Sequence, residues 1–480
     1  MITWKNEVFL PAQIKFVWEG ENSYQLAGLS DENKHLFGGE FSKIFTTVAD
    51  NRFMVYAGMG KPEKLDGRKF KNVVAKAART VSSFNIKEFV LDVSEITRKL
   101  GERAYFDIVA GVELGLYKYQ GIHQQNKQED YTVSVVDENF STENSDKLIK
   151  NAKSVADGMI LTREWINTPG NYLTPQMFAQ SITDTLTPVG VEVSVLEPQQ
   201  LEALGMGALL AVGNSSDHKP RLIVMKYTGN PRSSKVLGFV GKGVTVDTGG
   251  YSLKNPAGLM YTKGDMGGAA AVAGAIYAVA RNELKVNVVA VIPAAENRLS
   301  NQSHIPGDVV KSMNGKTIEI LNTDAEGRLI LADAITYAVR QAKVTHLVDV
   351  ATLTGAVVGA LGTVAAGCTT NDEEYLQQFF ACAKTAGERY WQLPLFEEYE
   401  EMLKSKVADL KNMGGPQAGT IAAALFLREF VEDTPWIHLD IAGTSQTEAP
   451  SNDYHCFGGT GFATPSLYFL AYDNQEFTEQ

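Results

Sequence analysis

Three acids and an arginine crowd the stretch Glu319-Ile320-Leu321-Asn322-Thr323-Asp324-Ala325-Glu326-Gly327-Arg328-Leu329. Thr317 to Leu321 reads as a short strand. Leu329 to Ile335 opens a helix with apolar residues at helical spacing, so Asp324, Glu326 and Arg328 fall in the turn between the two. Open α/β sheets place their ligands at the carboxyl ends of strands. Arg328 stands at or just before the first helical turn, where the helix dipole disfavours a cation by a few tenths to about 1 kcal/mol. An anion held between Arg328 and the free N–H groups of the helix start removes that conflict. A solvated arginine paired with Glu326 is the plain alternative, and this turn alone does not separate the two.

A second cluster has the same character. Gly241-Lys242-Gly243-Val244-Thr245-Val246-Asp247-Thr248-Gly249-Gly250-Tyr251-Ser252-Leu253-Lys254 follows the apolar run Val236 to Val240, and Asp265 opens the alanine-rich segment Met266 to Ala280. Glycines at the end of a strand permit unusual backbone angles and close approach to a ligand. Each acid also has an ordinary reading when taken singly. Asp265 suits a helix N-cap, Asp247 before Thr-Gly-Gly suits a turn, and Asp324 and Glu326 could be solvated loop acids.

Other chemistries find no support. Gly241-Lys242-Gly243 lacks the earlier glycine and the following Ser or Thr of a phosphate loop, and Gly315-Lys316-Thr317 runs into a strand, not a helix. The histidines form no H-E-x-x-H pair, and His346 and His438 lie in apolar strands as core residues. A G-x-S-x-G nucleophile elbow is absent.

The elements that must position these groups alternate along the chain. Residues 52–60 read as a strand ending in glycines, and Phe70, Val73, Val74, Ala77, Ala78 and Val81 then keep the spacing of an amphipathic helix. Phe89–Val93 and Tyr131–Val136 read as strands and Ala104–Tyr117 as a helix, which gives a small α/β domain without a catalytic constellation. The polar run 141–146 punctuates the chain. Leu148, Ala152, Val155, Met159 and Ile166 line one face of a long helix that Asn167-Thr168-Pro169-Gly170 stops. Buried-type strand runs recur at 191–196, 222–227, 236–240, 286–292, 346–350 and 436–441, with helical patterns such as 265–281 and 329–340 among them. The expected fold is α/β with two domains. A smaller N-terminal α/β domain spans 1–150, a bridging helix 151–168, and a larger C-terminal catalytic domain 169–480 has a mixed, mostly parallel sheet flanked by helices.

Composition sets the outer limits. A chain of 480 residues exceeds what one core usually serves. Hydrophobic content of 44% with 21% charged residues fits an ordinary globular protein, and 44 basic against 56 acidic residues, a net charge of -12, argues against a general nucleic-acid surface. Cys368, Cys382 and Cys456 are too few and scattered for a disulfide framework, which suits a reducing compartment. Met1 to Glu7 lacks a charged start followed by an apolar core, and no run is long and apolar enough to span a bilayer. The expectation is a cytoplasmic protein.

With these residues in view, the chain resembles the leucyl aminopeptidase family of cytosolic dimetal aminopeptidases. The resemblance rests on Asn322-Thr323-Asp324-Ala325-Glu326-Gly327-Arg328-Leu329 and on the ladder Lys242, Asp247, Lys254, Asp265 at the family's spacing. It extends through Asn167 to Pro175, Asp349 to Ala356 and His438 to Thr444, so it covers roughly residues 165–480. It implies a metallo-exopeptidase, a hydrolase that releases N-terminal Leu and other hydrophobic residues from peptides using water activated by two divalent ions. Asp247 and Glu326 would bridge both ions. Lys242 and Asp265 would complete the tighter site and Asp324 the more exchangeable one. Lys254 would act as electrophile, and Arg328 would hold a bicarbonate as general base, so no histidine is needed. Thr352, Leu353 and Gly355 resemble the family's substrate-contacting segment. Manganese, zinc or cobalt all suit oxygen ligands with one amine. The family forms homohexamers, which is the expectation for assembly here.

Two departures are visible. Thr262 stands where the family often has a methionine lining the pocket for the first side chain, which points to a pocket more tolerant of polar or larger groups. The loop Asn412 to Gly419 lacks the arginine usual there. Alternatives to the peptidase reading are a family-fold oligomer with a regulatory or DNA-binding role, and a dipeptidase.

Overall fold

The structure, a computed structural model, describes residues 2–5, 10–20, 36–122, 129–450 and 452–476. They form two compact units. The first holds the chain up to Asp157 together with Glu448–Phe457, and the second holds Gly158–Thr447 with Gly458 onward. Residues 448–457, inside the 169–480 range expected of the C-terminal domain, group with the first unit.

In the first unit six strands lie in the order Ile2–Lys5, Tyr131–Val136, Glu88–Asp92, Ala12–Trp18, Arg52–Gly60 and Ile44–Ala49. All neighbours are parallel except the last pair. That pair is a hairpin whose two turn residues, Asp50 and Asn51, take φ of 51° and 59°, the left-handed values a tight hairpin turn needs. The helix Gly67–Ser83 is capped by Asp66, which accepts from the Lys69 N–H at 2.8 Å, and buries Phe70, Val73, Val74, Ala77, Ala78 and Val81 as the spacing predicts. It packs on the helix Ala104–Leu116 so closely that a Cβ on Gly111 would lie 2.9 Å from the Lys71 carbonyl oxygen. The returning segment is held by Asn72 Nδ2 donating to Asp453 (3.1 Å) and Arg79 donating to the His455 carbonyl (2.8 Å), with Lys71 Nζ 5.6 Å from the Tyr454 ring centre.

In the second unit the main sheet runs Tyr390–Gln392, Ala366–Thr370, Trp436–Asp440, His346–Ala351, Val236–Gly241, Asn287–Asn297, Arg221–Thr228 and Glu192–Leu196. The four central strands, Trp436–Asp440 to Asn287–Asn297, are mutually parallel, and Gly243–Asp247 runs parallel to the far end of the last. Side chains alternate between the faces. Val240, Val291 and Leu347 share a core with Leu329, Ile330 and Ile335 of the helix Glu326–Arg340. On the opposite face, Gly241 meets the helix Gly267–Arg281, where an added Cβ would lie 2.6 Å from Ala269 Cα. Such contact is why that helix is built from alanine and glycine: a Cβ on Gly268 would fall 1.9 Å from the Val350 carbonyl oxygen.

The mixed, mostly parallel sheet flanked by helices agrees with the expected fold class. Three local readings differ. The strand Thr317–Glu319 belongs to a separate three-stranded sheet with Val309–Lys311 and Leu410–Lys411, so the turn bearing Asp324 and Glu326 does not follow a strand of the main sheet. The polar run 141–146 lies mostly inside the helix Thr142–Asn167, because the Ser145 N–H finds the Ser141 carbonyl at 2.9 Å. Strands Ala12–Trp18 and Ala366–Thr370 were not anticipated.

Candidate metal centre

Two central strands of the second unit end at the charged cluster. Lys242 follows Val236–Gly241, and its N–H still bonds the Val350 carbonyl of the adjacent strand at 3.0 Å. The strand Gly243–Asp247 carries on to Asp247, whose N–H bonds the Thr262 carbonyl at 3.0 Å. Gly249 and Gly250, at φ 85° and 60°, then reverse the chain, and the Lys254 N–H returns to the Thr248 carbonyl at 3.0 Å. A side chain on Gly250 would meet Asn297 Oδ1 at 2.9 Å and Thr323 Oγ1 at 3.0 Å. Glu326 is the first residue of the helix Glu326–Arg340.

The predicted residues converge. Lys242 Nζ lies 2.7 Å from Asp265 Oδ2, 2.9 Å from Glu326 Oε1 and 3.0 Å from the Thr352 carbonyl oxygen. Lys254 Nζ lies 2.7 Å from Asp247 Oδ2 and pairs with Asp324 Oδ1. Thr352 Oγ1 donates to Asp265 Oδ1 at 2.7 Å. Asp265 is not a helix cap, since the helix begins at Gly267 and its carboxylate is spent on Lys242 and Thr352. Asp247 does both jobs open to it: one oxygen accepts the Gly249 N–H at 2.9 Å as a turn former, and the other meets Lys254.

The environment of these groups is unusual. Burial pushes the Asp247 carboxyl up to about 6, with Glu326 adding to the effect and Lys254 and Lys242 opposing it. Burial likewise raises Asp265 well above the ordinary range. Burial also acts against Glu326, but Lys242 and Lys254 outweigh it and hold that carboxyl low. For Lys242, burial disfavours the charge, while Asp265, Glu326 and Asp247 more than restore it. One oxygen each of Asp247, Asp265 and Glu326 can be chosen so that all lie within 4.8 Å of one another. Glu326 Oε2 is buried without a hydrogen-bond partner. Hard carboxylate oxygens grouped this tightly, with one buried oxygen left over and an amine alongside, fit a divalent cation.

Arg328 is 8% exposed in the first turn of its helix. Its Nε has no hydrogen-bond partner, and no carboxylate among the described residues comes within 4.0 Å of it. Burial brings its guanidinium down to about 10, with Glu326 and Asp440 acting the other way. The solvated ion pair with Glu326 is therefore not what forms.

The remaining predicted residues are arranged less directly. Thr262 is half-buried and contributes its backbone carbonyl to Asp247. The Leu353 N–H turns to Asp440 Oδ1 at 3.1 Å, and Gly355 begins the helix Gly355–Leu361. His438 is a core residue, as read, with Nδ1 2.7 Å from Asp349 Oδ1. Sequence reasoning missed Asn297, whose Nδ2 donates to Asp247 Oδ1 and to the Thr323 carbonyl, both at 2.9 Å. The signal was the polar pair Glu296-Asn297 closing an apolar strand. It also missed Asn412, which accepts the Leu321 N–H and donates to the Asn322 carbonyl at 2.8 and 2.7 Å, fixing the turn before Asp324.

Comparison with known proteins places the chain in a family. Residues 160–468 match the catalytic domain of the cytosol aminopeptidase family and residues 39–126 match its N-terminal domain. A probable cytosol aminopeptidase of Alkaliphilus oremlandii (strain OhILAs) is 42% identical over 486 aligned positions, covering 97% of each chain. That of Clostridium perfringens (strain 13 / Type A) is 41% identical over 449, covering 92% of this chain and 91% of the relative. The structure of the bottromycin maturation enzyme BotP in complex with Mn superposes with a TM-score of 0.88 at 32% identity, covering 97% of this chain and 99% of that one. No helix among the described residues is long and apolar enough to cross a membrane. The chain belongs to the cytosol aminopeptidase family and is a metal-dependent, leucyl aminopeptidase-type exopeptidase.

Proposed function

We propose that the protein releases N-terminal Leu and other hydrophobic residues from peptides in the cytoplasm, using two divalent ions per subunit. The observation that carries this reading is the convergence of Lys242, Asp247, Asp265, Asp324 and Glu326 beside a second lysine, Lys254, whose ammonium reaches two of the five. Asp247 and Glu326 would serve both ions, with Lys242 and Asp265 helping to hold one and Asp324 the other. When bound, manganese, zinc or cobalt at these residues would supply an activated water and a Lewis acid for the free amine and the scissile carbonyl.

The chain's own groups do the rest. Lys242 would bind as a neutral amine, because cations at the carboxylates would offset the negative charge that now favours its proton. Lys254 would keep its proton because it is no ligand and stays in reach of water, with 25% of its side chain exposed against 4% for Lys242. It can therefore donate to the oxygen that gains charge as the peptide carbonyl is attacked. Arg328, buried at a helix start without an acidic partner, holds and orients a bicarbonate, the proposed general base. Thr352, Leu353 and Gly355 form one wall of the substrate cleft. Thr262 lies in the pocket for the first side chain, and the absence of a methionine there widens the range accepted. The subunits assemble as a homohexamer.

The test is hydrolysis of leucine p-nitroanilide by protein stripped with chelator and reloaded with manganese, zinc or cobalt, beside Glu326→Ala. Activity that returns with metal and is lost in the variant is expected. A folded protein that stays inactive with all three metals would overturn the reading.

A further inference from the structure

The segment that follows the central strand His346–Ala351 has to hold Thr352 in place, because Thr352 touches two of the clustered groups at once. Its carbonyl oxygen accepts from Lys242 Nζ at 3.0 Å and its hydroxyl donates to Asp265 at 2.7 Å. Nothing in Thr352 itself fixes this geometry. The residues just after it are tied down by a group on the neighbouring strand. Asp440, with no exposed surface, ends Trp436–Asp440, where its Cα pairs with that of Ala351. Its Oδ1 accepts the N–H groups of Leu353 (3.1 Å), Thr354 (3.4 Å) and Ala442 (3.3 Å). Its Oδ2 accepts the Thr354 hydroxyl at 2.6 Å. That hydroxyl also receives the Val357 N–H at 3.2 Å, capping the helix Gly355–Leu361, and lies 2.8 Å from the Thr420 hydroxyl.

One carboxylate thus serves three backbone donors, of which the buried Thr354 N–H would cost about 1–3 kcal/mol if left unpaired. The distribution of contacts is not that of a random core acid. Three of the four contacts fall on the two residues that follow Thr352 and the fourth on Ala442, and no salt bridge joins Asp440 to Lys242. We infer that Asp440 is a positioning residue: through Leu353 and Thr354 it fixes the turn that presents Thr352 to Lys242 and Asp265 and that walls the substrate cleft. This deepens the peptidase reading and rests on it for its effect on turnover, though not for its effect on the turn.

Three variants separate positioning from a bulk contribution to folding. Asp440→Asn keeps an oxygen for the N–H groups and is close in shape. Asp440→Ala removes both oxygens. Thr354→Val removes only the hydroxyl that reaches Oδ2. Amide hydrogen exchange at Leu353 and Thr354 is measured on the full chain alongside kcat and KM for leucine p-nitroanilide with manganese. In Asp440→Ala the two amides are expected to exchange at least tenfold faster while those of the strand Val236–Gly241 keep their protection. KM is expected to rise about tenfold with kcat changed less, and Asp440→Asn is expected to restore KM to within about threefold. Thr354→Val should show the same pattern more weakly, and it stands in if Asp440→Ala does not fold. Unchanged exchange at Leu353 and Thr354 in both Asp440→Ala and Thr354→Val would overturn the inference, as would a fall in kcat without a change in KM. Faster exchange at the turn in a protein that hydrolyses nothing in any form would leave the role of Asp440 standing and remove the peptidase reading instead.

Discussion

Gly327→Ala is a single methyl group aimed at the centre of the cluster. A Cβ built on Gly327 lies 2.5 Å from Lys242 Cε and 2.8 Å from both its Cδ and Nζ. Carbon atoms rest about 3.5–4.0 Å apart, so one of the two must yield by about 1 Å. The helix backbone is the stiffer partner, because Leu329, Ile330 and Leu331 are fully buried in the main core immediately after Gly327. Lys242 gives way, and its Nζ is drawn off the positions it shares with Asp265, Glu326 and the Thr352 carbonyl. A misplacement near 1 Å in a catalytic group costs on the order of 100-fold in rate. Stability is pulled two ways: alanine for glycine in a helix gains up to about 1 kcal/mol, while loosening the buried pairs of Lys242 with Asp265 and Glu326 costs up to about 3–5 kcal/mol. The assay is kcat/KM on leucine p-nitroanilide with saturating manganese, manganese affinity by titration calorimetry, and the urea midpoint. Expected are a fall of roughly 100-fold in kcat/KM, weaker metal binding and a modestly lowered midpoint with the transition still cooperative. Hydrolysis within threefold of wild type would refute the claim that Lys242 is the partner that moves. A midpoint that collapses together with activity would refute the claim that the helix holds.

Lys242→Arg keeps a cation beside Asp265 and Glu326 but offers no lone pair, because a guanidinium stays protonated; kcat/KM should fall at least about 100-fold with the circular dichroism spectrum unchanged, and retained turnover would exclude an amine ligand. Ala418 sits at φ 50°, ψ 36° before the helix Gly419–Arg428, where a Cβ costs about 1–2 kcal/mol. Ala418→Gly should therefore stabilise by roughly 0.5–1 kcal/mol after the entropy of glycine is deducted, read as a higher urea midpoint at constant m. Burial pushes the Asp333 carboxyl up to about 7 although the N–H groups of Leu209, Met313 and Ala208 oppose it. The folded protein thus keeps a proton that the unfolded chain releases near pH 4, so this group's stabilisation is full below about pH 4 and lost as pH rises to about 7. Asp333→Asn cannot titrate, and its cost relative to wild type should be larger at pH 5 than at pH 8 by roughly 2 kcal/mol. A cost independent of pH would show that Asp333 is ionised throughout.

The elements legible in the sequence are those whose local pattern and tertiary use coincide. The helix seen at Phe70 to Val81 is Gly67–Ser83 because the apolar stripe is also the buried face, and Val236–Val240 and His346–Val350 are strands because they are buried on both faces. Lys242, Asp247, Asp265, Asp324 and Glu326 were legible as a set because their types and order carry the family pattern, and the structure brings them together. Legibility failed where a residue's job depends on a distant partner. Asn297 drew no reading and Asp440 only a place in the resembling stretch His438 to Thr444, since the donors and acceptors they serve come from other strands and turns. Strand Ala366–Thr370, small and weakly apolar, gave no period to follow and exists through pairing with Trp436–Asp440 and Tyr390–Gln392.

The return of Glu448–Phe457 to the first unit has a bearing on how the protein is made. Asn72 and Arg79 find Asp453 and His455 across separations of 381 and 376 residues. During synthesis the leading unit therefore waits for almost the whole message to be read before its last contacts can close. Translation proceeds at about 5–20 residues per second, so that wait is on the order of twenty seconds to more than a minute. A nascent chain stalled before residue 448 would carry a first unit lacking these contacts, and a gene fragment ending at residue 157 would produce the same unfinished body in permanent form.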